Sequence, residues 1–287
     1  TVSVSFIVDV DGPSIDLASP PTDYLTSAAQ IQLVGTANDE YLDKIFVNSD
    51  EIVHTNGQFV KAVDLIEGEN QYSIEATDLA SNSSTFEGTV VRDSQAPVLI
   101  VSSPIEGLFT TASSVVCAGY VSDIHMQELK IENQVVSTQN GNFSHSVNLV
   151  EGSQVINFVA LDSLSQATVF ERTVIRDTLA PEIVVSYPVN GYTTSASTVV
   201  FNGTFTEANV SKITVGQTEA QINGNSFVCA VSLVEGQNSF TVTIEDLAGN
   251  IQSVEVIVYS QTSAPEITIT SPQDQHVTNV NQLQVTG

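Results

Sequence analysis

DSQAPVLIVSSP, residues 93–104, returns 84 residues later as DTLAPEIVVSYP, residues 177–188. Working outward from this pair, prolines stand at Pro13, Pro97, Pro181 and Pro265, and again at Pro20, Pro104, Pro188 and Pro272, always at the same step of 84. The step also carries Gly35 to Gly119, Gly203 and Gly287, Phe59 to Phe143 and Phe227, and Asp78 to Asp162 and Asp246. The pair Glu67-Gly68 recurs as Glu151-Gly152 and Glu235-Gly236. No insertion or deletion disturbs the period, so the chain is a tandem array of one unit.

Within a unit the pattern is that of short strands. In the second unit these are Val98–Ser102, Val115–Val121, a strand beginning at Leu129–Ile131, alternating Phe143, Val147 and Leu149, then Val155–Ala160 and Thr168–Ile175. Asn140-Gly141 between alternating segments is a hairpin signal. Helical periodicity is absent. About seven strands per unit, with turn signals every 8–12 residues, predict an all-β fold: tandem seven-stranded immunoglobulin-like Greek-key β-sandwiches in an elongated rod. The register predicts the last strand of a preceding module at 1–9, modules at 10–93, 94–177 and 178–261, and the first two strands of a further module at 262–287. The chain reads as a segment of a longer protein.

Composition narrows the function. The 287 residues carry 33 acidic and 7 basic side chains, a formal charge of −26, with 41% hydrophobic content. That hydrophobic content supports real cores. The charge repels nucleic acid and anionic membranes and favours cations. No apolar run reaches the ~20 residues of a membrane span. The four histidines, His54, His125, His145 and His276, share no repeat position and read as lone surface residues. There is no Gly-x-Ser-x-Gly elbow, Walker loop or dinucleotide fingerprint, so no enzyme is expected. Cys117 and Cys229 fall at non-equivalent positions and are expected to stay unbridged core residues. Carbohydrate binding finds weak support: there is no Trp, and Tyr41, Tyr187 and Tyr192 are the candidate exposed aromatics.

The acids have a pattern of their own. If the chain enters each module at one end, the loops after strands two, four and six share that end. The linker contributes Asp9, Asp93 and Asp177, with Asp11 as an addition at the first junction. The loop after strand two contributes Asp39, Asp123 and Glu207, and the loop after strand six Asp78, Asp162 and Asp246. Two readings stand side by side. Turn aspartates are common and solvated. Three converging carboxylates also repel unless a cation joins them, and calcium accepts six to eight oxygens in flexible geometry. Gln261 replaces the linker acid at the last junction, where weaker cation binding and freer bending are expected.

The DSQAP and DTLAP linkers, the Glu-Gly-x-Asn turn and Asp246-Leu247-Ala248-Gly249-Asn250 resemble the tandem immunoglobulin-like repeats of large secreted bacterial adhesins and surface proteins, and the accessory β-domain of some secreted glycoside hydrolases. The resemblance implies interdomain calcium held by linker and closing-loop acids: Asp9 with Asp78, Asp93 with Asp162, and Asp177 with Asp246. The second module departs from the motif, reading Asp162-Ser163-Leu164-Ser165-Gln166, and the first has Ser81 in place of the glycine.

The function expected from all of this is a non-catalytic extracellular stalk or spacer at a cell surface, its modules contacting their neighbours along the chain and stiffened by calcium. The alternatives are a filament or surface layer built from copies of the chain, and an accessory, carbohydrate-binding module of a secreted hydrolase.

Overall fold

A computed structural model describes residues 2–264 and 266–287; the linker proline Pro265 and Thr1 lie outside the described residues. The described residues are organised as β-strands and connecting turns, and among them no helix is long and apolar enough to cross a membrane. The first module holds β1 (Ser14–Ser19), β2 (Tyr24–Thr26), β3 (Gln30–Asn38), β4 (Leu42–Val47), β5 (Asp50–Ile52), β6 (Gln58–Asp64), β7 (Gly68–Asp78) and β8 (Ser83–Arg92). The second holds β9 (Val98–Ser103), β10 (Leu108–Thr110), β11 (Ser114–Ser122), β12 (Met126–Ile131), β13 (Gln134–Val136), β14 (Asn142–Asn148), β15 (Gly152–Asp162) and β16 (Ala167–Arg176). The third holds β17 (Glu182–Tyr187), β18 (Tyr192–Thr194), β19 (Thr198–Thr206), β20 (Val210–Val215), β21 (Thr218–Glu219), β22 (Gln221–Asn223), β23 (Ser226–Ser232), β24 (Gly236–Asp246) and β25 (Ile251–Ser260).

The chain divides into two compact units: Thr1–Pro104, Val116–Val147 and Ile156–Arg172 form one, and Ile105–Val115, Asn148–Val155 and Thr173–Gly287 the other. In the first unit, module one is a sandwich of sheets β1-β3-β6 and β2-β8-β7-β4-β5. Alternation turns Ile31, Leu33, Ile45, Phe59 and Ile74 inward between the sheets, where they are buried. The same unit repeats these pairings one period on, with β9 against β11 and β12 against both β13 and β15. In the second unit, module three is a sandwich of β17-β19-β23-β22 and β18-β25-β24-β20-β21 around Phe201, Ile213, Phe227 and Ile244.

The strand count departs from seven: modules one and two have eight strands and module three has nine. The additions are segments of two or three residues, too short to display a period. One of them, β2, pairs parallel to β8 while β1 pairs antiparallel to β3, so the opening segment serves both sheets. The Asn140-Gly141 turn also differs from expectation. Both residues have positive φ, at 49° and 79°, but the turn closes only the Gln139↔Asn142 bridge. Preceding it, β13 pairs with β12 instead of with β14, because the chain is changing sheets there.

The recurrent Gly–Phe pair has a steric cause. Gly203 lies opposite Phe227, and a Cβ on Gly203 would fall 2.0 Å from the Val184 carbonyl oxygen and 2.7 Å from the Phe227 ring. Gly35 and Gly119 meet Asp16, Ile100 and the Phe59 and Phe143 rings in the same way.

The expected strand at residues 2–9 is not formed among the described residues, and Val2, Val4 and Phe6 are more than four-fifths exposed. Its equivalent, β8, is held by β7 and β2, whereas residues 2–9 pair with no strand among the described residues. At the other end, the expected opening pair reduces to one antiparallel bridge, Ser271↔Thr286. Its register is that of Ser19↔Val34 and Ser103↔Ala118.

Candidate functional site

Linker and loop acids come together at the entry end of the first and third modules. Asp9, Asp39 and Asp78 each offer one carboxylate oxygen, all within 4.8 Å of one another, and Asp177, Glu207 and Asp246 do the same. The loop acids are oriented locally. Oδ1 of Asp39 accepts the Tyr41 amide at 2.7 Å, Oδ1 of Asp123 that of His125 at 2.7 Å, and Oε1 of Glu207 that of Asn209 at 2.7 Å. Tyr41 stands beside this group, and burial together with Glu40, Asp9 and Asp39 raises its phenol above the usual value.

The second module differs. Its group is Asp93, Asp123 and His125, in place of a set containing Asp162. His125 is not a lone surface residue: its Nδ1 lies 2.6 Å from Oδ2 of the buried Asp93. Asp11 also falls outside the grouped carboxylates. It takes part through its main chain, its carbonyl accepting Asn82 Nδ2 at 3.3 Å.

The closing-loop acids are buried, with Asp162 fully enclosed and Asp78 and Asp246 at 2% and 1% exposure. Each carboxylate is satisfied by the residue four positions on. Asp246 Oδ1 accepts the Asn250 amide at 2.8 Å and Oδ2 accepts Asn250 Nδ2 at 2.7 Å. Asn82 serves Asp78, and Gln166 serves Asp162, at 2.8 Å for each bond. Burial pushes the Asp78 carboxyl up, but the Asn82 bonds and neighbouring amides outweigh it and hold the group below its ordinary value. Ser81 and Ser165 take φ of 68° and 65° where Gly249 takes 91°, so the loop keeps its shape without the glycine.

These amides do a second job that sequence reasoning missed. Asn82 Nδ2 reaches the Asp9 carbonyl at 3.3 Å, Gln166 Nε2 that of Asp93 at 3.1 Å, and Asn250 Nδ2 that of Asp177 at 3.0 Å. The available signal was an amide side chain at all three positions, spaced by 84.

The recurrent turn glutamates hold the next linker residue. Glu67 accepts the Ser94 amide at 2.9 Å and its hydroxyl at 2.7 Å, and Glu151 accepts those of Thr178 at 2.8 and 3.0 Å. Glu235 binds the amide and hydroxyl of Thr262 likewise. Bonds from the Ser94 amide and hydroxyl, then the Arg92 guanidinium, hold Glu67 below the ordinary range. The Thr178 amide, then its hydroxyl and Arg176, do so for Glu151, and the Thr262 hydroxyl, then its amide, for Glu235. A carboxyl depressed on folding contributes stability that is present above its unfolded pKa and lost as pH falls through the folded one. In acid titrations followed by amide exchange, the Ser94, Thr178 and Thr262 amides are therefore expected to stay protected through pH 4.5, the ordinary Glu value, and to open only below it. Opening at or above that pH contradicts the assignment.

Of the candidate sugar-stacking aromatics, Tyr187 and Tyr192 form an edge-to-face pair, with centroids 5.0 Å apart, packed on the module-three core. Cys117 and Cys229 are buried and unbridged, as expected, and burial raises the Cys117 thiol to about 11.

The profile of glucodextranase, domain B, matches three times, at residues 13–94, 97–178 and 181–262. The chain belongs to the glucodextranase domain B family. These domain B repeats cover the three modules read from the 84-residue period. Bacillopeptidase F of Bacillus subtilis (strain 168) is 25% identical over 174 residues, which is 59% of this chain and 12% of that protein. The chain thus spans about an eighth of the curated relative it matches. Among solved structures, titin domains I67–I69 align over 88% of the chain and 100% of their own length, at 8% identity and a TM-score of 0.48. The Escherichia coli adhesin FdeC aligns over 90% of the chain and 100% of its own, at 14% identity and a TM-score of 0.39.

Proposed function

We propose that this chain is a non-catalytic extracellular spacer, a series of domain B modules that carries another part of a larger protein away from a cell surface, with calcium at its module joints. The observation that supports it most is the repeated gathering of three acids at the entry end of a module, one from the linker and two from loops. Asp9, Asp39 and Asp78, and Asp177, Glu207 and Asp246, suit a hard cation: every donor is a carboxylate oxygen, and calcium tolerates irregular loop geometry. Asp93, Asp123 and His125 suit it less, since one donor is an imidazole nitrogen already paired with Asp93. At the last junction Gln261 supplies no carboxylate. Bound calcium would neutralise the converging charge, and these residues would hold linker and loops together around it.

Isothermal titration of the whole chain with calcium chloride tests the reading. Binding is expected in the range of about 10⁻⁴–10⁻³ M found for extracellular modules. The double variant Asp177→Asn, Glu207→Gln is expected to lose one site while the site at Asp9 remains. No heat in the wild-type chain, or none lost in the variant, removes calcium and leaves a plain spacer.

A second reading draws on the family itself. Its defining domain belongs to a glucan-active enzyme by name, so an accessory role beside a secreted carbohydrate-active domain is the alternative. Binding of the chain to a glucan on an array would favour it over the spacer.

A further inference from the structure

The linker residues are held from both sides with no free length between the holds. At the joint between modules one and two, the Asp93 N–H donates to the Thr26 carbonyl of module one at 2.9 Å. The carbonyl of the same residue accepts Gln166 Nε2 of module two at 3.1 Å. One residue is thus fastened to one module through its donor and to the next through its acceptor. Ser94 is tied back to Glu67 of module one by two bonds, and the Asp93 carboxylate is tied forward to His125 of module two. Three residues further on, Thr168 Oγ1 of module two donates to the Pro97 carbonyl at 2.5 Å.

The joint between modules two and three repeats the arrangement with different residues. The Asp177 N–H donates to Thr110 of module two at 3.0 Å, and its carbonyl accepts Asn250 Nδ2 of module three at 3.0 Å. Thr178 is held by Glu151. The residue types vary, Ser for Thr and Gln for Asn, while donor and acceptor roles stay the same. Only φ and ψ of Asp93 or Asp177 lie between the two main-chain holds. Backbone groups partnered in this way do not rotate without breaking a bond at one end.

We propose that each joint is a protein-only clamp, in which the Glu67/Glu151 carboxylate and the Gln166/Asn250 amide set the angle between neighbouring modules without a cation. Its use, keeping successive modules at a fixed orientation, rests on the spacer reading above; the clamp itself does not depend on bound calcium. It reverses the general expectation that tandem domains joined by short linkers pivot freely.

Pulsed electron spin resonance on the whole chain tests it. Spin labels go on Glu75→Cys in module one and Ser144→Cys in module two, both exposed, while Cys117 and Cys229 are buried. The distance distribution is measured with calcium and with chelator, in the otherwise native chain and with Glu67→Ala plus Gln166→Ala. The clamp predicts an equally narrow distribution in calcium and chelator, and one roughly twofold broader in the variant, approaching the freedom of unclamped tandem domains. Thermal melts of the variant confirm that both modules remain folded. A native chain that broadens in chelator to the width of the variant overturns the clamp and assigns the stiffness to the cation. A variant that stays narrow overturns it as well. Failure of the calcium titration leaves this result untouched, so the two readings fail separately.

Discussion

Gly203→Ala is expected to destabilise module three by about 3 kcal/mol, at the upper end of overpacking effects. The added Cβ would stand 2.0 Å from the Val184 carbonyl oxygen and 2.7 Å from Cε1 of Phe227. The first neighbour is main chain of β17, paired to β19 through Val185↔Gly203, and it cannot swing away as a side chain would. The second is a ring exposed to only 2% and packed into the core. Relief requires β17 to lift from β19 or the ring to leave its place, and either change opens the sandwich. For a domain of this size the loss lowers its melting temperature by roughly 10–20 °C. Scanning calorimetry of the chain checks this, with the exposed neighbour Thr204→Ala as the control. A shift below about 2 °C would show that the close approach is not what maintains glycine at this position.

Asp246→Ala ranks second, at about 3 kcal/mol, measured in chelator so that no cation contributes. The carboxylate is 1% exposed and accepts both the amide and the side-chain Nδ2 of Asn250. Alanine leaves these donors without partners in a place water reaches poorly, and it releases the amide that bridges to the Asp177 carbonyl. Asp246→Asn retains one acceptor oxygen and is expected to lose about half as much. Denaturant unfolding followed at both variants makes the comparison. Near-native stability of Asp246→Ala in chelator would mean that the acid serves the cation alone. The expected loss would mean that it closes the loop first, with any cation joining a carboxylate already in use.

What was legible beforehand follows from repetition. Glycine, phenylalanine and the closing aspartate recur at one step, and each recurrence maps onto a contact repeated in space: Gly203 against Phe227, Asp246 against Asn250. The convergence of linker and loop acids was legible for the same reason, because alternate loops of an antiparallel sandwich share an end. Less visible was His125, at a position where the other modules carry Tyr41 and Asn209. A residue that does not repeat offers no pattern, and its approach to Asp93 depends on loop geometry that spacing does not encode. Gln166 was hidden differently. As the residue closing a degraded copy of the Asp-x-Ala-Gly-Asn motif it reads as a loss, yet its longer amide makes the same two connections as Asn250.

The period, the strand pattern and the charge of −26 are local or additive properties, and the amino-acid order alone determined them. Tertiary structure decided which sheet the three-residue strands join, that Asp162 turns to Gln166 while Asp93 turns to His125, and that one linker residue is bonded to two modules. Those outcomes require groups distant in sequence to arrive within about 3 Å of one another with the correct donor and acceptor, and only the folded chain brings them that close.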